Sequence, residues 1–187
     1  MRHKNLAQQL SKKRRTGNEM IVFRKHVPAA VLCVLLAFSA AAQSGTVGAV
    51  TNLPLPRYVS LKAAESNVRR GPSLTHRIDW VFKRRAMPLQ VTAEHGHWRR
   101  VEDRDGQGGW VHYSMLSGAR TVIVEQDMLQ LHALPEPSSL VNAALELGVI
   151  ARLGKCTDEW CQLRSGGYRG WAPKTRLWGV EPEELRD

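Results

Sequence analysis

Residues 98–111 read WRRVEDRDGQGGWV, and residues 160–172 read WCQLRSGGYRGWA. Each stretch opens on a tryptophan run, passes through a turn signal (Asp105-Gly106 or Gly166-Gly167), and closes on a Gly-Trp run, which is the pattern of a β-hairpin. Trp98 and Trp160 are 62 residues apart, and Trp110 and Trp171 are 61 apart. Upstream, Val68-Arg69-Arg70-Gly71-Pro72-Ser73 has a looser counterpart in Leu131-His132-Ala133-Leu134-Pro135 at an offset near 63. Three landmarks at offsets of 61 to 63 mark a duplication, so the chain reads as two homologous units, residues 57–120 and 121–180, with a tail at 181–187.

Each unit reads as short strands. Candidates in the first are Tyr58–Leu61, Ile78–Phe82, Leu89–Ala93, Trp98–Glu102 and Gly109–His112. Those in the second are Met128–His132, Val149–Leu153, Trp160–Arg164 and Tyr168–Ala172, with Thr121–Val124 expected to pair between the units. Five strands in about sixty residues suit a small barrel, because closure removes edges that would otherwise recruit other chains. The fold class is therefore all-β, two tandem small barrels; only Leu140–Leu147 (LVNAALEL) has helical composition. Trp98 and Val101 are three apart, as are Trp160 and Leu163, so period-two alternation sends them to opposite sides of their strands. Either a bulge intervenes or one of each pair faces a surface groove.

The chain has 187 residues and carries 27 Lys+Arg against 17 Asp+Glu, a net charge of +10. Such a balance suggests nucleic acid as a partner, but its location argues otherwise. From Val27 to Ala42 the sequence (VPAAVLCVLLAFSAAA) has no charge, follows Arg24 and Lys25, and ends in Ala40-x-Ala42. This is the layout of a secretory signal peptide, with a true start expected at Met20 and the membrane met only transiently during export. Sixteen apolar residues rise about 24 Å, short of a hydrocarbon core of about 30 Å, which disfavours an uncleaved anchor. Eight of the basic residues and one of the acidic ones lie in 1–42, leaving 19 against 16 in the remainder. The nucleic-acid signal thus departs with the leader, and the mature protein is expected in the periplasm or secreted. Residues 43–56 are uncharged, small and proline-containing, as in a linker.

The motifs resemble those of the bacterial SH3-like (SH3b) domain. The residues that carry the resemblance are Asn67, Val68, Arg69, Gly71, Pro72 and Ser73, then Gly96, His97, Trp98 and Val101, then Gly108, Gly109, Trp110 and Val111. The second unit departs from the pattern at 131–135 and returns to it at Trp160 and Gly170-Trp171. The resemblance implies a small β-barrel that acts by binding, often to cell-wall peptidoglycan or to peptides. No hydrolase domain fits beside the two units, so any role is expected through binding, with peptidoglycan or an envelope protein as partner and with no cofactor.

Charge divides unevenly: residues 57–120 hold 12 basic and 6 acidic groups, residues 121–187 hold 7 and 10. Arginine suits bidentate contacts with carboxylates or phosphates, and tryptophan offers stacking surfaces. The candidate ligand-binding residues are therefore Arg69, Arg70, Trp98, Arg99, Arg100 and Trp110; the bland alternative is a solvated basic face. Cys156 and Cys161 frame the hairpin CTDEWC and, with Cys33 removed in the leader, form an even pair suited to a disulfide in an oxidising compartment. A reduced pair, or half of a zinc site for which His132 is the one suggestive further ligand, is the alternative. His95-Gly96-His97 and Glu102-Asp103-Arg104-Asp105 read as hairpin turns rather than metal sites, because three or four converging ligands are lacking. Gly-x-Ser-x-Gly and phosphate-loop patterns are absent, and no catalytic constellation is predicted.

Overall fold

The computed structural model describes residues 46–187, so the signal-peptide reading of residues 1–42 lies outside the described residues. A short hairpin of β1 (Thr46–Val47) and β2 (Pro54–Leu55) leads in. The first unit follows as β3 (Arg57–Leu61), β4 (Ser66–Arg69), β5 (Ile78–Phe82), β6 (Pro88–His95), β7 (Trp98–Glu102), β8 (Gly108–His112) and β9 (Leu116–Ser117). The second comprises β10 (Thr121–Val124), β11 (Leu129–His132), β12 (Val141–Leu145), β13 (Ile150–Cys156), β14 (Trp160–Ser165), β15 (Tyr168–Pro173) and β16 (Leu177–Trp178). Among the described residues no helix is long and apolar enough to cross a membrane.

The two units form seven-stranded sheets in equivalent order, β5-β4-β8-β7-β6-β3-β9 and β12-β11-β15-β14-β13-β10-β16. Ladder pairing ends at β5 and β9 in one and at β12 and β16 in the other, so the expected closure is not made by a hydrogen-bonded seam. Each sheet nevertheless bends round one core. Leu61, Val68, Phe82, Leu89, Val91, Val101 and Val111, drawn from six strands, form a single buried cluster in the first unit. In the second, Val122, Leu131, Leu153, Cys161, Leu163 and Ala172 belong to the corresponding cluster.

Three readings are corrected. Leu140–Leu147 holds no helix: Val141–Leu145 is β12, paired with β11. Helix nucleation costs too much for a segment of this length, and a neighbouring strand offering a ladder outweighs composition. Thr121–Val124 does not bridge the units by pairing; it lies between β13 and β16 of its own sheet. Residues 46–55 of the expected linker are an ordered hairpin, held from the first unit as described below. Within the two units, the strands that sequence patterning missed, β4, β9, β12 and β16, are short, and β9 and β16 have only two residues each.

The units dock directly through a connection at Gly118–Arg120. Thr121 Oγ1 donates to the Ala86 carbonyl at 2.7 Å, and Tyr58 meets Trp178 edge-on with ring centroids 5.3 Å apart. Arg120 sits over the Tyr58 ring at 5.5 Å and donates to the Gly179 carbonyl and both carboxylate oxygens of Glu184. One guanidinium thereby joins the first unit, the connection and the tail.

Candidate functional site

Strand alternation decides what the first unit shows to solvent. On β7, Arg99 and Val101 are buried, whereas Trp98, Arg100 and Glu102 face the other way. Trp98 is thus outside the core, and the parity puzzle resolves towards a surface position. The register shift in this hairpin falls between Val91 and Ala93 of β6, leaving β7 regular. Across the ladder, Trp98 is opposite His112, Arg100 is opposite Trp110, and Trp110 is opposite Arg69 of β4. Trp98 meets His112 edge-on at 5.5 Å between centroids, and His95 meets Trp110 at 6.5 Å. His97 lies 5.9 Å from His112 and 5.6 Å from Tyr113, so the row continues into an exposed tyrosine. Cross-strand aromatic pairs of this kind stabilise a sheet face while leaving ring surface open for stacking.

Gly109 makes this face possible. A Cβ there would lie 2.7 Å from the Arg69 carbonyl oxygen, so the backbones of β8 and β4 pass too close for any side chain. Gly170 stands in the same relation to Leu131 and His132 in the second unit. The Gly-Trp motif therefore encodes a close strand crossing followed by an outward ring.

The structure distributes the predicted arginines differently. Arg69 donates to the carbonyls of Leu74 and His76 at 3.0 and 2.7 Å, holding the β4–β5 loop. Arg70 is exposed and paired with Asp79 at 3.0 Å. Arg99, expected to meet ligand, is buried; its guanidinium donates to the Gly96 and Trp98 carbonyls and lies 3.5 Å from Glu94. Alternation turned it inward, and the carboxylate made that position tolerable. Arg100 remains outward beside Trp110, 3.8 Å from Glu102. Trp98, Trp110 and Arg100 are brought together; Arg69 is adjacent but committed to its loop, and Arg99 is withdrawn.

Glu94 was not legible as important. Its side chain is 0% exposed and accepts from Val50 N–H at 3.0 Å, Thr51 N–H at 2.8 Å, Thr51 Oγ1 at 2.6 Å and Arg57 at 2.6 Å. Burial pushes its carboxyl upward, but the bonds from Thr51, Arg57 and Val50 outweigh it and set the pKa at about 2. The β1–β2 hairpin is thereby clasped to the first unit, and Gly48 lies so close to the carboxylate that a Cβ would overlap it. Hairpin turns predicted from sequence behave as such: Asp103 accepts from the backbone N–H of Asp105 and Gln107. Among the described residues no group of three or more His, Cys, Asp or Glu is placed to hold a metal.

The family model for the bacterial SH3 domain matches residues 62–118 and 125–179, one match on each sheet. The chain belongs to the bacterial SH3 domain family. Among solved structures it is similar to NlpC2 and NlpC1 from Trichomonas vaginalis, each at 10% identity and a TM-score of 0.31. These alignments cover 66% and 70% of this chain and 48% of each of those, so it spans about half their length. No curated protein matches it.

The second SH3 domain closes the face that the first leaves open. Trp160, the counterpart of Trp98, is buried and packs edge-on against buried His132 at 5.5 Å. Lys174 is only 5% exposed, and its ammonium donates to the carbonyls of Pro182 and Glu184, strapping the tail across the domain. Arg186 exchanges backbone bonds with Cys156, adding a bridge to β13. A cavity of about 440 Å³ remains beneath the tail, lined in part by Trp160, Leu177, Val180 and Pro182. Cys156 and Cys161 are directly opposed on β13 and β14 and joined by a disulfide with Cα atoms 4.1 Å apart. Both cysteines belong to the core cluster, and their disulfide leaves no thiolate for the zinc alternative.

Proposed function

We propose that this chain is an exported, non-enzymatic binding module whose first SH3 domain recognises peptidoglycan or another anionic ligand of the cell envelope. The observation that carries it is the row of Trp98, His112, Trp110 and Arg100, which lies outside the hydrophobic core yet is ordered by ring contacts and cross-strand register. Rings flank a cation there, a combination that stacks on apolar ligand surface while pairing with carboxylate. Membership of the bacterial SH3 family supports the binding role. The buried disulfide supports an oxidising compartment.

Purified cell-wall sacculi test the reading. Wild-type chain is expected to co-sediment, with Trp98→Ala, Trp110→Ala and Arg100→Ala each weakening retention by about tenfold, the effect of losing one well-placed aromatic or charged contact. Undiminished retention in all three variants rejects the face as the site. The adaptor reading has its own support: β5 ends the ladder with Ile78 and Trp80 exposed at 41% and 48%. An unpaired edge of this kind accepts an extended peptide as an added strand. Capture of one envelope protein with no retention on bare sacculi selects that reading.

A further inference from the structure

Between the two SH3 domains lies a groove of about 590 Å³. Its lining includes four cationic side chains, Lys62 and Arg85 from the first domain and Arg152 and Arg164 from the second, and no aspartate or glutamate. None of the four has a salt bridge within 4.0 Å among the described residues. All four are exposed. This composition runs against its surroundings, because the second domain and tail carry 10 acidic against 7 basic residues. Two of those seven have been placed here with no neutralising partner in the lining.

The cations are also arranged. Arg152 of β13 and Arg164 of β14 are direct cross-strand partners, where like charges destabilise a sheet. Arg85 donates to the Lys62 carbonyl at 2.8 Å, which fixes one edge of its guanidinium and leaves its other donors available. Docking of the domains holds the two halves in place, since Thr121 Oγ1 bonds to the Ala86 carbonyl and both residues line the groove. A cleft lined by one sign of charge concentrates its field on an incoming counter-ion. The remaining lining mixes serine hydroxyls (Ser60, Ser117, Ser165) with apolar Leu61 and Ile150. Such walls suit a ligand whose anionic groups sit on a carbon skeleton better than a bare polyphosphate.

We propose that this inter-domain groove is a binding site for a short peptide-like chain bearing two or more carboxylates, gripped by both domains at once. The site is separate from the aromatic face of the first domain, and its test does not depend on that face. Its consequence is that neither SH3 domain alone binds such a ligand fully, since each supplies half of the cations.

The probe is N-acetyl-triglutamate amide, titrated calorimetrically into the full chain at about 0.15 M salt, where the Debye length is about 8 Å and charges outside the groove are screened. One molecule per chain is expected. Arg152→Gln/Arg164→Gln and Lys62→Gln/Arg85→Gln are each expected to weaken binding by at least about tenfold, as loss of charge-assisted bidentate contacts does. Lys155→Gln/Arg176→Gln, which removes the same net charge from exposed positions elsewhere on the second domain, is expected to change affinity by less than about twofold. All six positions are exposed, so the variants are expected to melt no lower than wild type, with Arg152→Gln/Arg164→Gln the one expected to rise as its cross-strand repulsion is removed, and melting is measured in each. No binding by wild-type chain overturns the proposal. So does equal loss in the control variant, which would reduce the effect to overall charge. Tripolyphosphate binding more tightly than the peptide overturns the carboxylate assignment.

Discussion

Replacing Glu94 by glutamine is expected to release the N-terminal hairpin and to remove a distinct acid-sensitive part of the stability. The amide side chain of the Glu94→Gln variant keeps the shape but not the charge, leaving Arg57 and Arg99 with their guanidinium groups mostly buried and without their counter-ion. The size follows from linkage. Glu94 titrates at about 2 in the folded chain against an ordinary 4.5. At ~1.4 kcal/mol per pH unit this corresponds to roughly 3 kcal/mol, in line with the roughly 3–5 kcal/mol cost of removing one partner of a buried ion pair. Because the folded value is depressed, the contribution is fully present above about pH 4.5 and is lost as pH falls towards 2.

Urea unfolding across that pH window, on wild-type and Glu94→Gln chains, measures this directly. Wild type is expected to lose stability steeply; the variant is expected to start roughly 3 kcal/mol lower at neutral pH and to fall less. Glu184 shares the sign, since burial raises it but the hydrogen bonds and charge of Arg120 bring it net below the usual carboxylate range. It persists in both chains and cancels in the comparison. Hydrogen exchange localises the effect, because the amides of Val50 and Thr51 bond to the carboxylate and nothing else holds them. Parallel pH profiles for the two chains, or unchanged protection of those amides in the variant, would refute the clasp.

Three further perturbations have defined outcomes. Cys156→Ala/Cys161→Ala is expected to cost about 2 kcal/mol or more in urea unfolding, because it removes a short-loop cross-link and opens space in the core. Lys174→Met is expected to loosen residues 181–187, read as faster trimming by carboxypeptidase than in wild type, since it removes two charge-assisted bonds to that segment while those of Arg120 and Arg186 remain. Gly170→Ala forces a Cβ to within 2.8 Å of the Leu131 side chain and the His132 carbonyl, and is expected to lower stability by roughly 1–3 kcal/mol; a neutral effect would mean that β11 and β15 can separate freely.

The duplication, the all-β class and the hairpin at each Gly-Trp motif were readable because they are local patterns: alternation, turn residues and a constant offset. The disulfide was readable for the same reason, its cysteines being five residues apart. What escaped is what joins distant parts of the chain. Glu94 reaches back 43 and 44 residues to Thr51 and Val50, and Arg120 reaches forward 64 to Glu184. No periodicity marks such pairs. Arg99 illustrates the limit within a local motif. Arg99 and Arg100 look equivalent in sequence, but adjacent residues of a strand face opposite ways, and only Arg100 stays at the surface. β12 illustrates another, since its composition favours a helix and only the ladder supplied by β11 decides otherwise.

The two SH3 domains have the same strand order and opposite uses of it. At the position of Trp98 the first domain keeps a ring at the surface next to histidines; at Trp160 the second buries it against His132 and covers the neighbouring surface with its own C-terminal tail. A covered copy cannot offer that face to the same ligand, so the duplication does not produce two equivalent sites and avidity between like sites is not its benefit. What the second copy does contribute is a fixed partner surface, reached through a three-residue connection and pinned by Thr121 and Arg120. Arg152 and Arg164 lie in the groove that this docking creates. The acidic balance of the second unit is thus locally reversed in this groove, and the pairing of the copies generates a surface that neither has alone.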